Sequence, residues 1–499
     1  MSKTQIPARV RFAPSPTGFL HIGGARTALY DYLLARQTGG AFVLRIEDTD
    51  QKRYQSSAET DFKNALTWMN IQPDEGPDQG GSFAPYRQSE RSQVYRDHAQ
   101  RLIANGQAYP CFCSAEKISR TREEQIKNNQ NPHYDGTCRS ISPEEANERV
   151  ISGDPHVIRF NTPKEGKTTV VDLLRGEITV DNSTLDDIVL VKTDGLAVYH
   201  LAAMVDDYLM GITHVIRGSE WLPTFPIHAL IYRALGWQEP LWVHLSVLLK
   251  PDGKGKMSKR DTELAQEQGF PIFMKDMDEM GYIPEAVINW IMLMGWSYDD
   301  KAEFFTLEDL VEKFSLEKLN PSPAAINFSK LDHFNGLHIR NLDVADFAKR
   351  IHPWFEKAGY KPEPNVLLQV AAAIQERTKK LTEVVDMAGF FFQEDVQLAA
   401  ERVVSENMSA SQAAEAAGKI LTLFENLAEI NQEKAEAPLR ELAEEMELKA
   451  GKIFGLLREA LTGQQVSPPL FDIIPILGRE KVLARLQGAQ EVLAGLENK

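Results

Sequence analysis

Short apolar runs alternate with segments of helical periodicity over the first half of the chain. Residues 10–13 and 41–46 are apolar runs of strand length, and between them apolar residues recur at helical spacing from Ala25. A strand, a helix and a strand in this order predict a parallel sheet. Further strands are predicted at 188–191, which we expect to rejoin that sheet, and at 213–216 and 242–249; helices are predicted at 58–69, 199–210 and 223–234.

The pattern changes twice along the chain. Between about residues 109 and 190, short polar helices and short strands predict a domain inserted into the sheet domain. Beyond about residue 265 the chain is almost wholly helical, with long helices expected at 366–388, 410–433 and 437–462. We therefore expect a multidomain α/β plus all-α fold in five parts, at 1–108 with 191–249, 109–190, 250–335, 336–390 and 391–499.

Composition narrows the class of protein. The 499 residues are 43% hydrophobic and 25% charged, which is typical of globular proteins, and no apolar run approaches the length of a membrane span. The first residues lack the apolar core of a signal peptide, so we expect a cytoplasmic protein with no membrane partner. A net charge of −16 disfavours nucleic acid as a partner, but an acidic total can coexist with a local basic surface.

A loop rich in proline and glycine follows the first predicted strand. Pro14 and Pro16 end the strand, and His21 stands where the next helix begins, directly before Gly23 and Gly24. A helix N-terminus offers free N–H groups and a partial positive charge to a phosphate, and a histidine can donate a hydrogen bond to it. The stretch indicates a phosphate site, with an ordinary turn as the alternative.

A second loop, rich in glycine and lysine, follows the last predicted strand. Residues 256–260 read Lys-Met-Ser-Lys-Arg, which places three cations within five residues. Such a loop suits a polyphosphate and would neutralise the charge that develops as pyrophosphate leaves. Considered alone it is equally well explained as a solvated basic loop. Paired with the first motif, some 235 residues upstream, the polyphosphate interpretation becomes the stronger one.

Three charged residues, Arg11, Glu47 and Arg217, lie at or near the predicted carboxyl ends of the strands. A buried charge without a partner is costly, so these residues either pair with one another or complement a charged ligand. In the second case Glu47 would hold an ammonium group, and the arginines would take carboxylates bidentately. Two arginines and one glutamate side chain complement a ligand with two carboxylates and one ammonium group. This favours a dicarboxylic amino acid, and hence glutamate.

Three cysteines, Cys111, Cys113 and Cys138, lie in the predicted insertion. Their odd number in a long chain argues against a disulfide framework. Thiolates are soft ligands that suit zinc, which requires four ligands in a structural site. The alternative is three buried thiols without a metal.

The two loops resemble the signatures of class I aminoacyl-tRNA synthetases. Residues 15–18 and 21–24 read Ser-Pro-Thr-Gly and His-Ile-Gly-Gly, which resembles the first signature, and residues 256–260 resemble the second, ending in the arginine common to glutamyl enzymes. Residues 328–340 and 470–480 resemble segments of the helical half of bacterial glutamyl-tRNA synthetases. The resemblance covers nearly the whole chain.

This resemblance implies a Rossmann-like catalytic domain, an inserted domain that binds the tRNA acceptor end, a stem-contact domain and two helical anticodon-binding domains. It implies a monomer that activates L-glutamate with ATP and magnesium to glutamyl-adenylate. The glutamyl group then passes to the 3′ end of tRNA(Glu), and AMP and pyrophosphate are released. The alternatives are an enzyme that also charges tRNA(Gln), a short paralogue that glutamylates a modified tRNA base, and an inactive tRNA-binding paralogue.

The resemblance also implies roles for individual residues. The expected catalytic residues are His21, Lys256 and Lys259. The expected ATP-binding residues are Ser15, His21, Gly23, Gly24, Glu220, Trp221, Lys256, Met257, Ser258 and Lys259. The expected glutamate-binding residues are Arg11, Ala13, Ser15, Glu47, Tyr199 and Arg217. A tryptophan such as Trp221 is more often a core residue than a ligand contact in general.

Three residues are implied to contact tRNA. Asp50 and Arg53 match positions that contact the terminal adenosine, although Asp50 would also serve as a helix cap. Arg377 matches an arginine that reads the third anticodon base and excludes glutamine tRNA. A surface salt bridge is the alternative for Arg377.

The chain departs from the family pattern at several positions. Gly24 replaces the second histidine of the class motif, and Ala203 replaces an asparagine found in at least one relative. One relative has a histidine zinc ligand where this chain has Ser140, and another has a tyrosine ligand at the position of Tyr134. The resemblance thus implies a structural zinc on Cys111, Cys113, Tyr134 and Cys138, with His133 as the competing fourth ligand.

Overall fold

The computed structural model describes residues 6–257, 261, 267, 269–405 and 408–497. Within this part the chain forms two compact units. Unit 1 comprises Met1–Asp278 and Val287–Phe328, and unit 2 comprises Glu279–Ala286 and Ser329–Lys499. The five-part division expected from the sequence is finer than these two units and stays a prediction.

Every strand in the described residues belongs to unit 1. They are β1 (Arg9–Phe12), β2 (Ala41–Leu44), β3 (Ala108–Cys111), β4 (Val157–Phe160), β5 (Lys167–Asp172), β6 (Gly176–Asp181), β7 (Val189–Val191), β8 (His214–Gly218), β9 (Leu241–Leu245), β10 (Leu248–Leu249) and β11 (Ala324–Ala325). The helices up to residue 313 are α1 (Ile22–Thr38), α2 (Ser56–Trp68), α3 (Ser92–Ala104), α4 (Ala115–Lys127), α5 (Pro143–Ile151), α6 (Tyr199–Leu209), α7 (Phe225–Ala234), α8 (Met274–Glu279), α9 (Pro284–Met292) and α10 (Leu307–Lys313).

Parallel strands form the centre of unit 1. Strand β1 pairs with β2, and β8 pairs with β9, both in parallel. The start of β8 lies beside β1, because the Thr213 N–H donates to the Arg9 carbonyl across 2.9 Å. The apolar runs that predicted these strands are buried, and helix α1 connects β1 to β2. The parallel α/β architecture is confirmed.

The inserted segment forms its own antiparallel sheet from β3, β4 and β7. The expectation that residues 188–191 rejoin the parallel sheet is therefore wrong, because β7 pairs with β4 and places Val191 opposite Ile158. The hairpin of β5 and β6 does not belong to this antiparallel sheet. Strand β5 reaches the parallel strands, where Asp172 lies in parallel register with Trp242 of β9.

Unit 2 is helical. From residue 328 onwards the helices are α11 (Phe328–Asn341), α12 (Val344–Lys357), α13 (Pro364–Ile374), α14 (Val384–Ala388), α15 (Ala400–Ser405), α16 (Ala410–Asn426), α17 (Gln432–Glu445), α18 (Ala450–Thr462), α19 (Leu470–Leu477) and α20 (Arg479–Glu497). Helices α16 and α20 approach so closely that a Cβ atom on Gly418 would lie 2.7 Å from Nε2 of Gln490. None of the helices in the described part of the chain combines the length and apolarity that crossing a membrane requires.

The long helices expected in this unit are interrupted. The expected helix at 437–462 is wrong in extent, because Glu447 adopts a left-handed φ of 53° between α17 and α18. The expected helix at 410–433 ends early, and Asn431 caps the next helix by accepting from the Lys434 N–H. Short 3₁₀ turns likewise separate α13 from α14 within the expected helix at 366–388.

Candidate active site

A cavity of about 170 Å³ lies at the start of α1. It brings the first motif together with the beginning of the lysine loop, which lies far away in the sequence. Six residues of the expected ATP site line it: His21, Gly23, Gly24, Glu220, Lys256 and Met257. Ser258 and Lys259, which were expected here too, lie outside the described residues, as does Arg260.

His21 is the N-cap of α1. Its Nδ1 atom accepts hydrogen bonds from the N–H groups of Gly23 at 2.9 Å and Gly24 at 3.3 Å. The expectation that these N–H groups are free for a phosphate is therefore wrong at two positions. Because Nδ1 accepts, a neutral ring would carry its proton on Nε2.

Lys256 lies across the cavity from the first motif. Its Nζ atom is 3.4 Å from a carboxylate oxygen of Glu220, and both side chains are about half exposed. An exposed pair of this kind is weak, so either partner can exchange it for a ligand at little cost. Trp221 is not among the residues that line the cavity; its ring stacks on Tyr199 with centroids 3.9 Å apart.

A second cavity, of about 230 Å³, lies where β1 and β2 end. The loops after these strands are joined there, since the Glu47 N–H donates to the Pro14 carbonyl across 3.0 Å. Five expected glutamate- or tRNA-site residues line the cavity: Ser15, Glu47, Asp50, Arg53 and Tyr199. Ser15, expected to serve both ATP and glutamate, lines this cavity and not the first.

Arg11 and Glu47 do not pair with each other. Arg11 donates from Nε to Asp207 at 2.9 Å, while Glu47 accepts from Arg45 at 3.1 Å. Arg45, wholly buried, also donates to Asp207 at 2.7 Å. The ion-pair alternative for Arg11, Glu47 and Arg217 is therefore wrong, because the first two have other buried partners and Arg217 has histidine partners.

The ionisation of these carboxyls differs. Burial opposes the charge on Asp207, but the guanidinium groups of Arg11 and Arg45 outweigh it and lower its pKa. Burial raises the pKa of Glu47 to about 7, although Arg45 and Arg11 act in the opposite direction. Glu47 is thus a carboxyl that changes charge near neutral pH.

Arg217 is 4% exposed and is held between two buried histidines. Its Nε atom donates to Nε2 of His244 at 2.9 Å, and its Nη2 atom lies 3.1 Å from Nδ1 of His228. Its Nη1 atom is buried and has no hydrogen-bond partner among the described residues. A buried N–H group without a partner is costly in a protein and favours a ligand that accepts from it.

The remaining glutamate-site residues are apolar. Ala13 follows β1 and is partly buried, and Ala203 on α6 is wholly buried. Ala203 offers no side-chain hydrogen bond to a substrate, so a polar contact at this position must come from another residue.

The expected tRNA contacts lie in both units. Asp50 and Arg53 form an exposed ion pair at 2.6 Å. The helix-cap alternative for Asp50 is wrong, because α2 begins at Ser56 with Gln55 as its N-cap. In unit 2 the exposed Arg377 donates to the Ser467 carbonyl at 3.1 Å, and no salt bridge to it is found within the described chain.

The three cysteines of the insertion converge. Their Sγ atoms lie within 4.8 Å of one another, and Cys113 and Cys138 are 3.5 Å apart. The Tyr134 hydroxyl is 3.3 Å from Sγ of Cys111 and 3.6 Å from Sγ of Cys113. Sulfur atoms bound to one zinc at about 2.3 Å are separated by similar distances, so the donor set fits this ion.

The competing ligand, His133, is exposed, and its Nδ1 atom lies 2.9 Å from the Asn131 carbonyl. Within the described chain it is not part of the group of close metal-binding side chains. This placement favours Tyr134 over His133 as the fourth donor.

Sequence reasoning missed the buried partners of the site. Asp207 and Arg45 hold Arg11 and Glu47, and His228 and His244 hold Arg217. The sequence does indicate that Asp207 and Arg45 need buried partners, because each of these charged residues interrupts an otherwise apolar segment. A single sequence does not show which distant residues pair with each other.

The chain matches two family models. Residues 7–333 match the model described as tRNA synthetases class I (E and Q), catalytic domain. Residues 346–490 match the model described as anticodon binding domain. Together with the parallel sheet and the cavity between the two signature loops, these matches define the class: a class I tRNA synthetase with an anticodon-binding part.

Curated relatives and a solved structure specify the family. The glutamate–tRNA ligase of Dehalococcoides mccartyi is 42% identical over 483 residues, which is 96% of each chain. That of Borreliella burgdorferi is 42% identical over 495 residues, covering 98% of this chain and 99% of the relative. A crystal structure of a glutamate tRNA ligase from Elizabethkingia meningosepticum in complex with its amino acid has a TM-score of 0.89 at 35% identity, covering 98% of this chain and 100% of that one. The chain belongs to the glutamate–tRNA ligase family, and the alternatives of a short or inactive paralogue are not needed.

Proposed function

We propose that the first cavity of unit 1 binds ATP, that the second binds glutamate, and that the product is glutamyl-tRNA(Glu). The observation that carries this proposal is the buried Arg217 Nη1 atom, which lacks a hydrogen-bond partner among the described residues. A carboxylate is the acceptor that best complements a guanidinium, because the two groups form charge-assisted hydrogen bonds. The substrate then supplies the missing contact.

Glutamate recognition is assigned as follows. Glu47, when ionised, holds the ammonium group, and Arg11 with Tyr199 holds the side-chain carboxylate. Arg217 takes the remaining carboxylate, which compensates for the apolar Ala203. Asp207 accepts from Nε of Arg11 at 2.9 Å and from Nη2 at 3.3 Å, and the Ile216 carbonyl accepts from Nη1 at 3.3 Å. Each Nη atom carries a second N–H group, and these are proposed to serve the substrate. Ala13 and Ser15 complete the pocket through the loop after β1.

ATP is assigned to the cavity between the signature loops. Gly23 and Gly24 let the phosphates approach the backbone, His21 donates from Nε2, and Lys256 with Lys259 neutralises charge on the leaving pyrophosphate. Met257, Ser258, Glu220 and Trp221 are assigned to the nucleotide as a whole. Magnesium, when bound with ATP, supplies further charge neutralisation on the phosphates.

No side chain acts as a nucleophile in this scheme. A glutamate carboxylate oxygen attacks the α-phosphorus, and the bond to pyrophosphate breaks. A terminal hydroxyl of tRNA then attacks the activated carbonyl, and AMP leaves. The protein accelerates both steps by positioning the reactants and stabilising charge.

The assignments for tRNA are two. Asp50 and Arg53 border the glutamate cavity and are proposed to contact the terminal adenosine. Arg377 in unit 2 is proposed to read the third anticodon base, and its exposure and lack of a described acidic partner leave its charge available.

One structural zinc is proposed on Cys111, Cys113, Cys138 and Tyr134. Its role when bound is to brace the insertion that contacts the acceptor end. The close thiols, which form no disulfide among themselves, suit a reducing compartment such as the cytoplasm. The monomeric state stays a prediction from the resemblance.

The test is charging of purified tRNA(Glu) and tRNA(Gln) with labelled L-glutamate, alongside pyrophosphate exchange with and without tRNA. We expect charging of tRNA(Glu) alone, and exchange that depends on tRNA. Charging of both tRNAs would contradict the discriminating role of Arg377. Charging of neither would contradict the proposed activity.

A further inference from the structure

A chain of buried polar groups runs through Arg217. Its members, in order, are Asp172, His244, Arg217, His228 and His200. From Asp172 Oδ2 to His244 Nδ1 the distance is 2.7 Å, and from His244 Nε2 to Arg217 Nε it is 2.9 Å. From Arg217 Nη2 to His228 Nδ1 it is 3.1 Å, and from His228 Nε2 to His200 Nδ1 it is 2.9 Å. The chain thus links the insertion, through β5, to helices α6 and α7.

The guanidinium fixes the direction of every hydrogen bond in this chain. Arginine can only donate, so His244 must accept at Nε2 and carry its proton on Nδ1, from which it donates to Asp172. On the other side His228 must accept at Nδ1 and donate from Nε2 to His200. Neutral histidines meet this requirement, and burial together with the charge of Arg217 lowers the pKa of His228 and His200, the latter to about 4.

Asp172 is itself fixed as an acceptor. Its Oδ1 atom accepts from the N–H groups of Leu174 at 3.0 Å and Arg175 at 2.9 Å. Its Oδ2 atom accepts from both the backbone N–H and Nδ1 of His244. Every neighbour of this carboxylate therefore donates, and an amide in its place would turn one donor towards another. If the amide nitrogen faced His244, the Nδ1–H tautomer would be lost and a second N–H would lie against Nε of Arg217. If it faced the other way, it would oppose the N–H groups of Leu174 and Arg175.

One nitrogen of the Arg217 guanidinium, Nη1, forms no hydrogen bond with the described residues. Its planar group lies over Trp242, with Cζ 4.8 Å from the ring centroid. Nε and Nη2 are directed at the two histidines, while Nη1 has no partner in the described chain. The guanidinium is therefore held in one orientation from two sides, with a single nitrogen left for a ligand.

We propose that Asp172, His244 and His228 are positioning residues that orient Arg217 to receive a carboxylate of glutamate. This inference rests on the proposed role of Arg217 in the glutamate pocket. The three residues act only through Arg217 and touch neither substrate. Their effect should therefore fall on glutamate and spare ATP, which occupies the other cavity.

The first test compares Asp172→Asn with Arg217→Lys in steady-state charging of tRNA(Glu). A hydrogen bond to a charged group corresponds to roughly a 10- to 100-fold change in affinity, so we expect Asp172→Asn to raise KM for glutamate by that factor. We expect KM for ATP to change less than about twofold. A substitution that destabilised unit 1 as a whole would instead raise KM for both substrates. In the Arg217→Lys background, Asp172→Asn should add little, because lysine cannot reproduce the oriented fork.

A matched pair at His228 covers the case in which Asp172→Asn does not fold. Asparagine places an acceptor oxygen where Nδ1 of histidine lies, whereas leucine has no acceptor. We expect His228→Leu to raise KM for glutamate and His228→Asn to restore much of the loss. Equal impairment in both variants would overturn the positioning role of His228.

The outcomes separate this inference from the function on which it rests. If Arg217→Lys impairs glutamate use but neither Asp172→Asn nor His228→Leu does, the positioning proposal is overturned alone. If Arg217→Lys leaves KM for glutamate unchanged, the role of Arg217 and the positioning proposal are both overturned. If Asp172→Asn has the same effect with and without Arg217, it acts by another route and the proposal is also overturned.

Discussion

Arg11 and Asp207 form a buried ion pair that joins strand β1 to helix α6, with Nε and Oδ1 2.9 Å apart. Asp207 simultaneously accepts from Arg45 of the segment after β2. Asp207 thus shares its charge between two buried guanidinium groups. Neither arginine is accessible to water, so loss of the Asp207 charge would leave Arg11 without an ion-pair partner among the described residues. Arg45 would keep its ion pairs with Glu47 at 3.1 Å and Asp206 at 4.0 Å.

Asp207→Asn should therefore be strongly destabilising. Removal of one partner from a buried ion pair costs about 3–5 kcal/mol, because the remaining charge stays buried. The free energy of unfolding, measured by urea denaturation, checks this. Asp78→Asn is the control, because Asp78 pairs with Lys63 at the surface and should cost less than about 1 kcal/mol. Equal effects of the two variants would contradict the assignment of Asp207 as the compensating charge.

Glu47 should make glutamate use depend on pH near neutrality. Burial, opposed by Arg45 and Arg11, raises its pKa to about 7, so the carboxylate that holds the substrate ammonium forms as the pH rises from 6 to 8. We expect KM for glutamate in tRNA charging to fall over this range in the wild type. In Glu47→Gln it should be high and nearly constant. A pH profile that is identical in both would contradict the role of Glu47.

The same pKa has a consequence for stability. Because the folded pKa of Glu47 lies above its ordinary value of 4.5, the buried carboxyl destabilises the fold increasingly as the pH rises from about 4.5 through 7. Glu47→Gln should thus match the wild type near pH 4 and exceed its free energy of unfolding by up to about 3 kcal/mol at pH 8. If the difference in the free energy of unfolding between the two proteins shrinks as the pH rises, the raised pKa of Glu47 is contradicted.

Asp31 offers an independent test of buried charge. It lies on α1, is 0% exposed, and neither carboxylate oxygen has a hydrogen-bond partner among the described residues. Burial raises its pKa well above the ordinary value, so its cost to stability grows as the pH rises. Asp31→Asn should raise the Tm at pH 8 more than at pH 5, by up to about 2 °C for each kcal/mol gained in a chain of 499 residues. A pH-independent difference in Tm would contradict this account.

The cysteine cluster should contain about one zinc per chain by total metal analysis. Cys113→Ser should lose the ion. Tyr134→Phe should retain less of it than the wild type during dialysis against a chelator, because it lacks the fourth oxygen donor. His133→Ala is the matched control and should retain zinc like the wild type. Much less than one zinc in the wild type would contradict the metal site, and full retention in Tyr134→Phe would contradict the fourth ligand.

The sequence predicted those parts of the fold that depend on local pattern. The apolar runs that became β1, β2, β8 and β9 were recognisable because a strand buried on both faces is apolar at successive positions. The same pattern did not reveal the partner of β7, since the short apolar run at 188–191 fits a parallel or an antiparallel neighbour equally well. Helix ends were also uncertain where a residue other than glycine, such as Glu447, adopts a positive φ.

The candidate site likewise contains residues that the sequence predicted and residues that it did not. The loop residues His21 and Lys256 were identified because their motifs are contiguous in sequence, and the structure places both around one cavity. Asp207 was not assigned as the partner of Arg11, because the two lie 196 positions apart and only the fold brings them together. Long-range pairing of charges therefore accounts for most of what sequence reasoning missed.

The most direct measurement is a crystal structure of the protein with L-glutamate and a non-hydrolysable ATP analogue. We predict the glutamate ammonium within about 3.2 Å of a Glu47 oxygen and a carboxylate oxygen within the same distance of Arg217 Nη1. The triphosphate should lie between His21 and Lys256. A glutamate that contacts neither Glu47 nor Arg217, or a triphosphate outside that cavity, would contradict the account.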